Sequence, residues 1–202
     1  MRRQDLEKFY RIPPDGQPRP REGMLLLAKP FMRDFVFRHS VVLIVSVSEK
    51  DVLGIRLDLP PLAEQSLSHI IPEFKNVLDF DIGNGGPVGR DTLFFLHTYP
   101  DVKNSSPVLP GLWVNGDFEQ MKQIVLQDPE REKHIRFFLG YAGWTPRQLQ
   151  DEIERGQSWI LGAANAERDV FAKEKNMWAS VMAQMGRKYE VCSRFPTIPI
   201  MN

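Results

Sequence analysis

Short apolar runs separated by polar turns dominate the first half of the chain, and amphipathic periodicity takes over in the second. Met24-Leu25-Leu26-Leu27-Ala28 is a continuous apolar run stopped by Pro30, which predicts a short buried strand. The valine-rich segment Ser40–Ser48 predicts a second. A polar turn, Glu49-Lys50-Asp51, leads into Val52–Leu57, so the pair reads as an antiparallel hairpin. Pro60-Pro61 ends it, and Leu62–Ile70 is expected to form a short helix. Further strands are predicted at Thr92–Thr98, Gly111–Asn115, His134–Tyr141 and Trp159–Leu161, with Tyr99–Pro110 as a loop.

Two helix starts are well marked. Asp117 precedes an amphipathic run in which Phe118, Met121, Ile124 and Val125 share a face, and Gln120 stands where a capping box needs it. In Trp144-Thr145-Pro146-Arg147-Gln148-Leu149, Thr145 is the N-cap, Pro146 takes the first helical position and Gln148 completes the box. Trp144 and Leu149 then form a hydrophobic staple, and the helix is expected to stop near Gly156. A closing helix over Asn176–Met185 carries Met177, Val181 and Met185 on one stripe, with Gly186 past its end.

Strands in neighbouring pairs followed by helices point to an α+β fold and not to a regularly alternating parallel sheet. Residues 1–22 read as a Pro/Arg-rich extension, with a helical turn possible in composition only at 5–11. Residues 23–186 form the single domain, and 187–202 are expected to be an irregular tail.

Composition narrows the function classes. Lysine plus arginine (26) equals aspartate plus glutamate (26), so the chain lacks the basic excess that releases counterions from nucleic acid, and direct DNA binding is not expected. The single cysteine, Cys192, rules out an intrachain disulfide and suits a reducing compartment. No apolar run approaches the ~18 residues of a membrane span, and no apolar segment follows the first basic residues. A cytoplasmic protein without membrane contact is the expectation.

Candidate chemistry is sparse. Gly83-Asn84-Gly85-Gly86 suggests a phosphate cradle, but Pro87-Val88-Gly89-Arg90 follows where a P-loop needs lysine and a helix. Two readings stand: an anion site built from amides and Arg90, or a tight reversal that only glycine tolerates. Of the four histidines, none stands at metal-ligand spacing to another, so no metal is implied. His97 follows the glycine loop and is either a proton-transfer group or a hydrogen-bonded structural residue. Ser40, Asp91 and His97 supply the residue types of a triad without a nucleophile elbow. The helix Pro146–Arg155 is as acidic as basic on its surface, which is not the face of a DNA-reading helix.

Several motifs coincide in order: Gly23-Met24-Leu25-Leu26-Leu27-Ala28-Lys29-Pro30, Ser40-Val41-Val42-Leu43-Ile44, Gly85-Gly86-Pro87-Val88, Leu96-His97, and Gly140-Tyr141-Ala142-Gly143-Trp144 with Gln148-Leu149. Together they resemble the bacterial AlgH/YqgE family, over about Gly23 to Gly186. The resemblance implies an α+β domain with a bifurcated, partly barrel-like mixed sheet flanked by helices. It also implies a regulatory role named from alginate production, acting indirectly, and no established enzymatic activity or cofactor. Two features depart from the family: where it tends to show Gly-Leu-Val-Ile-Asn-x-Pro this chain has Gly54-Ile55-Arg56-Leu57-Asp58-Leu59-Pro60, with the asparagine replaced, and the proline-rich start and the tail after Gly186 resemble additions.

The favoured expectation is a non-catalytic regulatory or binding protein. Its pocket for a small molecule or protein partner would lie near Gly85, Gly86, Pro87, Arg90, His97 and Trp144. The alternative is an enzyme using His97 beside the glycine loop.

Overall fold

A computed structural model describes residues 19–74, 80–154, 158–172 and 174–195. The expected helical turn at 5–11, the helix end near 155–156 and the prolines at 196 and 199 lie outside them.

The first apolar run is β1 (Met24–Ala28), and the predicted hairpin is β2 (Val41–Val47) with β3 (Val52–Arg56), joined in antiparallel register Leu43↔Ile55. After β3 the structure differs from expectation. Pro61–Ser66 is a strand, β4, and only Leu67–Ile70 is helical (α1). The cause is tertiary: β4 pairs with β5 (Asp81–Asn84), with Pro61 opposite Gly83, and that pairing overrides helical propensity.

The third apolar region is β6 (Val88–His97), which begins four residues earlier than the pattern suggested. The expected loop at 99–110 contains β7 (Ser106–Leu109), which turns at Gly111 (φ 79°) into β8 (Leu112–Val114). Then come helix α2 (Phe118–Gln127), β9 (Ile135–Trp144), helix α3 (Pro146–Glu154), β10 (Trp159–Ala163), helix α4 (Met177–Gln184) and helix α5 (Arg187–Cys192). The last of these corrects the irregular tail: Cys192 is fully buried, with Tyr189 packed beside it against the same core.

The sheet runs β10-β1-β2-β3-β9-β6-β8-β7 and curls into a half-barrel. It is antiparallel except where β5 lies parallel to β9 (Ile82↔Phe137). β9 is the branch point. One of its edges carries β3 at residues 142–144 and β5 at 137–139, so two strands share it.

Alternation along the strands sends successive side chains to opposite faces. Leu25, Leu43, Ile55, Leu96 and Phe138 face a core closed by Trp178, Val181 and Met182 of α4 and Cys192 of α5. Leu26, Val42, Ile44 and Trp159 face Leu149 and Ile153 of α3. Ile82, Phe95 and Phe137 face Met121 and Val125 of α2.

Both marked helix starts form, with half of each expected box. Asp117 Oδ1 accepts from Gln120 N (2.9 Å) and Thr145 Oγ1 from Gln148 N (3.2 Å). The glutamine side chains go elsewhere: Gln120 bonds the main chain of Asp101 and Lys103, and Gln148 bonds Glu152.

Candidate functional site

The glycine segment is a crossing of two chains. Having run beside β9 as β5, the backbone passes over β9 at Gly85–Gly86 and returns on its other side as β6, where Val88 stands opposite Tyr141. A Cβ on Gly86 would lie 2.2 Å from the Tyr141 carbonyl carbon, and one on Gly85 would lie 2.2 Å from Gly140 O. The amides are spent internally: Gly85 N donates to Leu139 O (2.8 Å) and Gly86 N to Asn84 Oδ1 (3.2 Å). Pro87 brings no amide, and Arg90 is exposed at the surface.

The other expected site residues stand apart from this crossing. His97 is at the far end of β6, fully buried, with Nε2 2.9 Å from Asn115 O and its ring among Phe95, Tyr99 and Trp113. Burial lowers its pKa, and the bond to the Asn115 main chain opposes the shift, while Nδ1 has no hydrogen-bond partner among the described residues. Asp91 lies six positions back along the same strand, roughly 20 Å away, so no triad forms. Trp144 is buried under α3 and donates to Glu152 Oε2 (3.2 Å). Clefts of about 490, 550 and 690 Å³ open among the described residues, and none of the expected site residues lines them.

The cleft of about 550 Å³ adjoins the glycine segment at Gly83 and has the most distinctive charge chemistry. One wall is Leu57–Pro61, where the chain leaves β3 for β4, and the other carries Asp81, Arg136, Glu174 and Lys175. The β5–β9 register sets Asp81 beside Arg136, because the next pair along is Ile82↔Phe137.

Arg136 is the unusual group. It sits on a strand whose neighbours Ile135, Phe137 and Phe138 are all buried. Its guanidinium lies 4.8 Å from the Phe138 ring centroid, and Nη1 donates to Val170 O (2.6 Å). Burial pushes its pKa down to about 10, against the opposing charge of Asp81. Among the described residues no carboxylate is within ion-pair distance of it. Sequence reading passed it over, although an arginine inside an apolar strand was a legible signal.

Asp58, by contrast, is saturated. Its oxygens take Arg56 Nη2 (2.6 Å), Arg56 Nε (3.3 Å) and Val41 N (2.9 Å). The remaining Arg56 nitrogen, Nη1, bonds Val36 O.

The match to known proteins covers nearly all of this architecture. A model of the family described as AlgH-like matches residues 25–190. The chain belongs to the AlgH-like family. A UPF0301 protein of Bacteroides fragilis is 40% identical over 184 residues, covering 91% of this chain and 92% of its own length. One from Bacteroides thetaiotaomicron is 37% identical over 185 residues, with the same coverage. Among solved structures, protein DIP2367 of Corynebacterium diphtheriae superposes with a TM-score of 0.71 at 26% identity, over 89% of this chain and 94% of its own. The AlgH protein of Pseudomonas aeruginosa shares the fold, with a TM-score of 0.66 at 24% identity over 88% of this chain and 96% of its own. Against the family pattern quoted above, this AlgH-like chain replaces valine by Arg56 and asparagine by Asp58. The two replacements are each other's ion-pair partners. No helix among its described residues is long and apolar enough to cross a membrane.

Proposed function

We propose that this AlgH-like protein is a non-catalytic binding protein whose 550 Å³ cleft takes a small molecule through a carboxylate or phosphate group. One observation carries the reading: Arg136, half-buried on β9 between buried apolar neighbours, faces a cleft of ligand size without a paired carboxylate among the described residues. A desolvated charge is costly until an opposite charge meets it, and guanidinium geometry suits carboxylate and phosphate. Lys175 adds a second cation at the wall. Of the three carboxylates on the cleft walls, Asp58 is committed to Arg56, while Asp81 and Glu174 form no ion pair with Arg136 among the described residues. Any regulatory role then runs through occupancy of this cleft and not through direct contact with DNA.

The test is a thermal-shift and calorimetric panel of small carboxylates and phosphates on the natural chain and on Arg136→Met. At a concentration one hundred times Kd, a ligand stabilises by about 2.7 kcal/mol, a rise in Tm of roughly 5–10 °C for a chain of this size. That rise should vanish in Arg136→Met. If no anion in the panel shifts the natural chain at millimolar concentration, the proposal is wrong.

A further inference from the structure

A second cleft, of about 690 Å³, lies between the 3₁₀ turn Arg131–Lys133 and a single turn of π-helix at Ala166–Phe171. The π-turn is closed by Ala172 N reaching back to Glu167 O (3.0 Å), so it holds one residue more than an α-turn. Such turns are uncommon and recur at binding sites. It is held firmly: Asn165 Oδ1 caps it through Arg168 N (2.9 Å), and buried Asp169 accepts from Asn165 N (2.7 Å) and from Arg168 Nη2 (2.6 Å).

The lining combines an aromatic wall with acidic groups from opposite sides. Phe171 supplies the apolar wall, Glu167 projects from the π-turn, and Glu132 comes from the facing 3₁₀ turn. Neither glutamate's carboxylate has a hydrogen-bond or ion-pair partner among the described residues. The adjacent cation does not neutralise them, because the Lys133 ammonium bonds Glu130. His134 is fixed at the floor by its Nδ1 contact with Thr98 Oγ1 (2.9 Å). Two carboxylates and an aromatic ring lining one cleft attract an ammonium with an apolar body, through charge and through the ring's negative face.

We infer that this cleft is a second ligand site, for an organic amine with an aromatic or aliphatic body. The inference stands apart from the anion site, although the two clefts share a support: the Arg136 guanidinium that lines the first donates to Val170 O within the π-turn.

The experiment is an NMR and calorimetric titration of the full chain with 2-phenylethylamine, set against its neutral isostere 2-phenylethanol. The amine should bind at least tenfold more tightly than the alcohol and perturb the amides of residues 132–134 and 166–172. Glu132→Gln combined with Glu167→Gln, both at exposed positions, should erase that preference, and Phe171→Ala should weaken amine and alcohol alike. Equal binding of the two probes, an unchanged preference in the double variant, or no amine binding at millimolar concentration overturns the inference. Each outcome is independent of the anion panel, which reads Arg136.

Discussion

The Arg56 guanidinium grips the Asp58 carboxylate along one side, with Nη2–Oδ2 at 2.6 Å and Nε–Oδ1 at 3.3 Å, where both side chains are almost closed to water. The pair occupies two of the four positions, 55 to 58, at which this stretch differs from the pattern the family resemblance led one to expect; the other two exchange leucine and isoleucine. A buried ion pair contributes little beyond an apolar equivalent, yet breaking it strands a charge.

Arg56→Val alone should therefore cost about 3–5 kcal/mol in urea unfolding. Arg56→Val with Asp58→Asn, which removes both charges together, should fall within about 1 kcal/mol of the natural chain. Losses in the double variant equal to the sum of the singles would refute the coupling.

Gly86→Ala tests the crossing. Its Cβ would meet Tyr141 main chain at 2.2 Å with φ at 152°, whereas Gly111 has φ 79° and open space around its Cβ. Gly111→Ala should cost only the left-handed backbone penalty, about 1–2 kcal/mol. Gly86→Ala should cost clearly more, and similar melting temperatures for the two would show that the crossing tolerates a side chain.

Glu152 Oε2 accepts from two indoles, Trp144 Nε1 (3.2 Å) and Trp159 Nε1 (2.8 Å). Glu152→Leu leaves both donors without it, at about 1–3 kcal/mol each if they stay buried. Glu152→Gln keeps an acceptor oxygen and should lose less. The two tryptophans give the readout, since their fluorescence should change in Glu152→Leu and stay close to natural in Glu152→Gln.

His97 makes stability depend on pH. Its folded pKa lies below the ordinary histidine value because of burial, so the unfolded chain binds the extra proton first. The stability it contributes is whole above about pH 6.5 and is lost as pH falls through the folded pKa. His39 shifts in the same direction, again chiefly by burial. His97→Gln should flatten part of the fall in urea midpoint below about pH 6.5; an unchanged slope would mean that His97 does not drive it.

What the chain determined by itself is what neighbouring residues can settle. Val41–Val47 and Val52–Arg56 pair across a polar turn of four residues, and Thr145-Pro146 starts a helix because cap and first turn are adjacent. Trp144 and Leu149 share one core as a staple requires. The α+β class and the bifurcated sheet were legible too, the latter through family motifs. Tertiary structure decided the rest. β4 is a strand because β5 lies beside it, and the glycine segment crosses β9 because Gly140, more than fifty residues later, leaves room for it. Cys192 is buried because α5 folds back onto the sheet. Arg136 sits in a cleft because β5 pairs parallel to β9 and the π-turn offers it a carbonyl. Those contacts join residues far apart in sequence, and no local periodicity encodes which distant segment will supply the partner.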